Sequence, residues 1–142
     1  MLFVVWMLGC EMKLIDKVAL IEICDKRILV TKTKGRELYY LPGGKRAEKE
    51  SDIETLQREL KEELTVDILS DTAAYCGTFY AEADGKAADT LVKMTCYRAD
   101  YEGVLQASSE IEEMAWLAYE DIEKVSGVVR IIFYDLRHKG LL

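Results

Sequence analysis

The chain of 142 residues contains one proline, one histidine and four cysteines, and fewer basic than acidic side chains. Each shortage excludes something. A single Pro and the lack of any biased run exclude a collagen-like or disordered chain. Cys10, Cys24, Cys76 and Cys96 are scattered with no CxxC pair, which argues against a zinc site and for reduced, buried or half-buried thiols in a cytoplasmic protein. His138 stands in an Arg-His-Lys patch near the C-terminus and reads as a solvated helix end rather than a catalytic base. With 19 Lys and Arg against 26 Asp and Glu, the net charge is −7. Long nucleic acids are poor ligands for such a chain, because phosphate-backbone binding draws its affinity from clustered cations. A small phosphorylated ligand remains accessible if metal ions lie between the two sets of negative charge.

No apolar run reaches the roughly 20 residues that a membrane helix needs. The opening MLFVVWMLG is too short, and no basic segment precedes it. Gly9-Cys10 looks lipoprotein-like but lacks the charged leader. Residues 1–11 therefore read either as an extra edge strand or as an upstream start, with a single domain over residues 12–142. A homodimer is the default expectation for assembly, and the apolar N-terminus could supply an interface strand.

Half of the residues are hydrophobic, enough for one compact core. Val18–Cys24 and Arg27–Lys32 are β-rich and flank an Asp25-Lys26 turn, which predicts a hairpin. Glu37–Leu41 predicts a third strand, closed by Pro42-Gly43-Gly44. Ser51 followed by Glu54 is a capping-box signature, and Ile53, Leu56, Leu60 and Leu64 make one apolar stripe, so a helix is predicted over 52–64. Strands follow at 73–81, 90–97 and 114–117, then a second amphipathic helix over 125–138 with Val128, Ile131, Ile132 and Leu136 inward. The order predicts an α/β fold, a mixed sheet with helices on both faces. Two helices and no G-x-G-x-x-G exclude a Rossmann domain.

The chemistry concentrates on the first helix. At about 100° per residue, Glu59, Glu62 and Glu63 share one wedge about 100° wide beside the apolar stripe. Three carboxylates so placed repel one another by roughly 0.2–0.5 kcal/mol per pair and call for a counterion. Hard oxygen ligands suit Mg²⁺, Mn²⁺ or Ca²⁺, and Mg²⁺ is commonly shared with substrate phosphates. The competing reading is a solvated acidic face with Lys61 as partner. Gly43 and Gly44 tilt the balance, since a strand ending without Cβ atoms lets backbone approach a ligand or metal.

Gly44, Glu50, Arg58-Glu59-Leu60, Glu62-Glu63 and Val66 fall in register with G-x5-E-x7-R-E-U-x-E-E-x-G-U, where U is aliphatic. The stretch resembles the Nudix box, and such a match arises by chance in roughly one window in 10⁷ to 10⁸. The resemblance implies a Nudix-type α/β/α sandwich and Mg²⁺-dependent hydrolysis of a nucleoside diphosphate linked to another moiety, with Mn²⁺ as a possible substitute. It implies Glu59, Glu62, Glu63 and the Gly43 carbonyl as metal ligands, and Glu50 and Arg58 as residues that orient them. Glu62 or a carboxylate of a later loop is expected to activate the attacking water, with Glu110 the first choice as base or extra ligand and Glu113 the second. One fixed position departs: Thr65 stands where the family has Gly, and Lys49 replaces a frequent Gly outside the fixed pattern. Altered loop and cap shape is expected there, without loss of a ligand.

Substrate choice is weakly encoded. Arg36, Lys45 and Arg46 border the Gly turn and could meet phosphates, with Gly44 admitting backbone contact; Tyr39, Tyr40 and Phe79 could stack a base. The leading reading is a MutT-like hydrolase of small nucleotides. A Nudix-fold sensing module without turnover and an RNA 5′-end pyrophosphohydrolase are the alternatives.

Overall fold

The computed structural model describes residues 2–85 and 88–142. Strands β1 (Leu2–Met7), β2 (Cys10–Leu20), β3 (Ile23–Cys24), β4 (Arg27–Thr33) and β5 (Gly43–Lys45) precede helix α1 (Asp52–Leu64). Then follow β6 (Asp67–Ile68), β7 (Ala74–Glu82), β8 (Thr90–Arg98), β9 (Tyr101–Glu102), β10 (Ile111–Leu117) and helix α2 (Gly127–His138). The main sheet runs β1-β2-β8-β7, with β5 also paired to β2; β10-β4-β3 form a second sheet. The sheet is mixed: β2 and β8 are parallel, while β1–β2, β2–β5 and β7–β8 are antiparallel.

Alternation along β2 separates two cores. Val18 and Leu20 pack with Leu56, Leu60 and Leu64 of α1. Ile15, Ala19 and Ile21 point the other way, toward Val128, Val129, Ile132 and Phe133 of α2. Helix, sheet and helix thus stack as an α/β/α sandwich, as the element order requires.

Helix α1 starts and stops where the sequence says. Ser51 accepts from the Glu54 N–H at 3.1 Å while the Glu54 carboxylate accepts from the Ser51 N–H at 2.9 Å, closing the capping box. Thr65 ends the helix at φ 60° and ψ 30°, the left-handed conformation that Gly ordinarily supplies. Lys49 likewise has φ 67°. The altered loop and cap shape expected at these positions is therefore corrected: the backbone keeps the glycine conformation, and ordinary side chains bear its steric cost.

Other expectations need correction as well. Val18–Leu20 does not form a hairpin with β4; it ends the eleven-residue β2, and only Ile23–Cys24 turns back onto Arg27–Ile28. Tyr39 and Tyr40 make isolated bridges to Val125 and Thr31 rather than a strand, and regular pairing begins later, at Gly43. The second helix begins at Gly127, after a 3-10 turn over Tyr119–Lys124. Cys10 and Cys24 are exposed rather than half-buried. Among the described residues, no helix is long and apolar enough to cross a membrane.

Candidate active site

β5 fixes one wall of the site. Gly43 has φ 140°, and a Cβ there would overlap the Val18 carbonyl oxygen and the Ala19 Cα. At Gly44 a Cβ would collide with the Glu59 carboxyl group. The two glycines thus let β5 lie against β2 on one side and the α1 carboxylates on the other. The Gly43 N–H then donates to Glu63 Oε1 at 2.9 Å.

Helix α1 supplies the second wall. Glu59 and Glu63 are buried, at 9% and 6% exposure. Glu62 is half-exposed, with Arg58 Nη1 3.6 Å from its carboxylate. The wedge explains the difference, because Glu62 and Glu63 occupy its two opposite edges and the pocket lies on the Glu63 side. The third wall is a loop anchored on the end of α1. Helix ends leave carbonyls without intrahelical partners, and here Gln106 N–H donates to the Leu64 carbonyl at 3.0 Å and Ser108 N–H to that of Glu63 at 2.9 Å. That anchorage delivers Glu110. Ligand oxygens of Glu59, Glu63 and Glu110 lie within 4.8 Å of one another.

The electrostatics of this trio are adverse. Burial pushes the Glu63 carboxyl up to about 8, assisted by Glu59 and Glu110, although the Gly43 N–H opposes the shift. Burial also raises Glu59. Glu110 is lowered, chiefly by a hydrogen bond from Ser109. Three converging carboxylates, one of which, Glu59, is also touched by Arg58 at 2.8 Å, suit a hard divalent cation.

Behind the trio lies a satisfied network. Arg58 donates to Glu50 through Nε at 2.8 Å and Nη2 at 2.9 Å, to Glu59 through Nη1 at 2.8 Å, and to the Lys45 carbonyl at 3.0 Å. Glu50 also accepts from Ala47 N–H and Thr55 Oγ1. The Arg58 guanidinium is the main reason the Glu50 carboxyl falls to about 2. Glu50 and Arg58 therefore hold Glu59 in place from outside the pocket.

A cleft of about 390 Å³ opens from the trio toward α2. Of the side chains singled out for substrate, Arg36, Tyr40 and Lys45 line it, as do Gly43 and Gly44. Arg46 is brought elsewhere: it binds Asp16 at 3.0 Å, the Glu50 carbonyl at 3.1 Å and Asp52, bracing the loop before α1. Tyr39 and Phe79 pack against the core instead of the cleft. Glu113, the second choice for base, pairs with Lys32 at 3.0 Å and stays out of the trio.

Two charged cleft residues escaped the sequence reading. Lys17, its ammonium 5.2 Å from the centre of the Tyr40 ring, lines the cleft, and burial lowers its pKa. Asp84 lies at the far end, where its carboxylate accepts from the Gly127 N–H at 3.3 Å and so caps α2. The signal for Lys17 was a charge directly before the apolar run Val18-Ala19-Leu20-Ile21; Asp84 carried none.

The NUDIX domain family model matches residues 13–133. No curated protein matches the chain. The E. coli ORF135 protein superposes with a TM-score of 0.69 at 24% identity, covering 89% of this chain and 92% of its own. A MutT NUDIX hydrolase from Burkholderia pseudomallei gives 0.72 at 22%, covering 85% and 96%. A bifunctional NMN adenylyltransferase/ADP ribose pyrophosphatase from Francisella tularensis, complexed with AMP and a manganese ion, gives 0.64 at 18%, covering 87% of this chain and 41% of its own.

Proposed function

The chain belongs to the NUDIX domain family and is a pyrophosphohydrolase, and from that premise we propose that it hydrolyses a small nucleoside diphosphate-linked compound with Mg²⁺, or Mn²⁺ in its place. Residues 12–142 form its catalytic domain. The observation that carries the reading is the convergence of Glu59, Glu63 and Glu110 at the head of a cleft lined by Lys17, Arg36 and Lys45. Carboxylates and cationic side chains thus line the same cleft, the space a diphosphate would fill.

Glu59, Glu63, Glu110 and the Gly43 carbonyl would hold the cation, while Glu62 stands outside that trio beside Arg58. A bound divalent cation supplies charge neutralisation on the diphosphate and acidification of water. Lys17, Arg36 and Lys45 bind the outer phosphate oxygens and orient the anhydride. Glu110, whose carboxyl is lowered chiefly by the Ser109 hydrogen bond, accepts the proton of the attacking water. The water oxygen bonds to one phosphorus while the P–O bond to the bridging oxygen breaks, and the other phosphate group leaves with that oxygen. Glu50 and Arg58 hold Glu59 in position. The apolar stretch of cleft, including Leu41, Val92, Met94 and Val128, takes the group beyond the diphosphate.

The test is phosphate release from nucleoside triphosphates, ADP-ribose, UDP-sugars and diadenosine polyphosphates, with and without Mg²⁺, comparing wild type with Glu62→Gln and Glu63→Gln. Metal-dependent turnover lost in Glu63→Gln is the expected result, and the preferred compound names the substrate. Tight nucleotide binding with no turnover on any compound would leave a sensing module in place of the hydrolysis proposed.

A further inference from the structure

The outer edge of the main sheet carries a surface that hydrolysis does not use. β1 reads LFVVWM, has no charge, and among the described residues pairs with β2 alone. Its hairpin turn, Leu8-Gly9, has φ of 52° and 76°, as in a type I′ loop, whose flanking pair exchanges both hydrogen bonds. That pair is Met7 and Cys10. Alternation along the ladder then commits the backbones of Val5 and Phe3 to β2 and turns those of Leu2, Val4 and Trp6 outward.

An unpaired edge of this kind is a template for another strand, and sheets blunt it with Lys, Pro, a bulge or a covering helix. The opposite edge is blunted: β7 has a register break between Tyr75 and Gly77. β1 shows none of these devices. Leu2, Val4, Trp6 and Met7 are 56%, 58%, 72% and 46% exposed. Together they present on the order of 500 Å² beside a free backbone edge, somewhat over half of the roughly 800 Å² that each partner commits to a standard interface.

We propose that β1 is a dimerisation edge, where two copies of this chain join antiparallel β1 strands about a two-fold axis through Val4. Val4 then faces the partner's Val4, and Leu2 faces the partner's Trp6, with about six backbone hydrogen bonds across the axis. The contact is isologous and uses up both free edges, so it closes at two copies. No like charges oppose one another along the seam. The pairing also reaches the cleft: Leu2 is registered with Ile15 and Ile15 with Val92, and the latter two line it. The partner's Trp6 would extend that row across the axis. None of this depends on the hydrolytic reading.

Sedimentation equilibrium of the full chain tests it, with twice the chain mass expected at micromolar concentration. Val4→Pro removes an outward N–H while sparing the β1–β2 bonds, and should raise the dissociation constant at least about tenfold with unchanged far-UV circular dichroism. Val4→Thr keeps the N–H and should remain dimeric. If Val4→Pro fails to fold, Trp6→Glu, which sets a carboxylate against the partner's Leu2, must give a monomer. A monomeric wild type, a folded Val4→Pro or a Trp6→Glu that dimerises like wild type, or open-ended association in place of a dimer, each overturns the proposal.

Discussion

Glu50 and Glu63 belong to one charged network and live in opposite worlds. Glu50 accepts from a guanidinium, a backbone N–H and a hydroxyl, and its carboxyl is held down to about 2. Glu63 is buried beside two further carboxylates; the Gly43 N–H and the more distant Lys17 ammonium favour its charge, yet burial lifts its carboxyl to about 8. The first charge is balanced by Arg58; the second, in the function proposed above, is left for an exchangeable cation. Under the function proposed above, structural and catalytic carboxylates are told apart by their partners, not by residue type or helix face.

Substitution should separate the two sharply. Glu63→Gln is expected to lower kcat by at least about 10³-fold, since it removes an electrostatic contact at the reacting group. In metal-free protein the same change should leave the melting temperature equal or raised near pH 8, because it deletes a repelled buried charge; a fall there would break the comparison. Glu50→Gln should do the reverse. It leaves Arg58 short of its acceptor, costing about 1–3 kcal/mol in chemical denaturation, while kcat drops only about 10–100-fold through misplacement of Glu59.

Titration sharpens the contrast further. A raised carboxyl favours the protonated form in the folded state, so the Glu63 contribution is fully present below its ordinary value of 4.5 and is lost as pH rises through about 8. The lowered Glu50 contributes above 4.5 and loses its share as pH falls toward about 2. Thermal melts of metal-free protein should therefore lose a stabilising contribution on the alkaline side that saturating Mg²⁺ restores; wild type and Glu63→Gln melting in parallel from pH 5 to 9, a window on the order of the shift, would contradict it.

The smallest effects are expected where the motif's glycines are missing. Lys49→Gly and Thr65→Gly relieve left-handed strain, but glycine also frees the unfolded chain, and Thr65 would lose its hydrogen bond to the Val104 carbonyl. Each should move stability by no more than about 1 kcal/mol and leave kcat unchanged. A large loss of activity in either would make these loops part of the site.

What the sequence disclosed followed from local rules. The capping box and the apolar stripe of α1 are set within a few residues, so its boundaries and the register of Gly44, Glu50, Arg58 and Glu59 were legible. Pairing was less so, because Val18–Leu20 is equally β-prone whether its neighbour is β4 or β8, and only the packed sheet decides. The glutamate wedge was legible as a wedge, but not which edge would be buried. Glu110 was found by charge and position alone, while its anchorage through Gln106 and Ser108 uses backbone groups that any sequence would carry. Arg46 shows the converse: its place beside the Gly turn suggested phosphate, and Asp16 and Asp52 claimed it instead.

The parallel pairing of β2 with β8 sets Lys13 beside Thr90, two residues far apart along the chain. During synthesis β2 waits for that neighbour until most of the polypeptide has left the ribosome, and the loop bearing Glu110 emerges later still. The acidic residues of α1 are made long before the pocket that draws them together. In the function proposed above, a cation would tighten the finished fold by mass action but would have no assembled trio to bind while the early elements form. Its grip belongs to the rate of unfolding rather than the rate of folding.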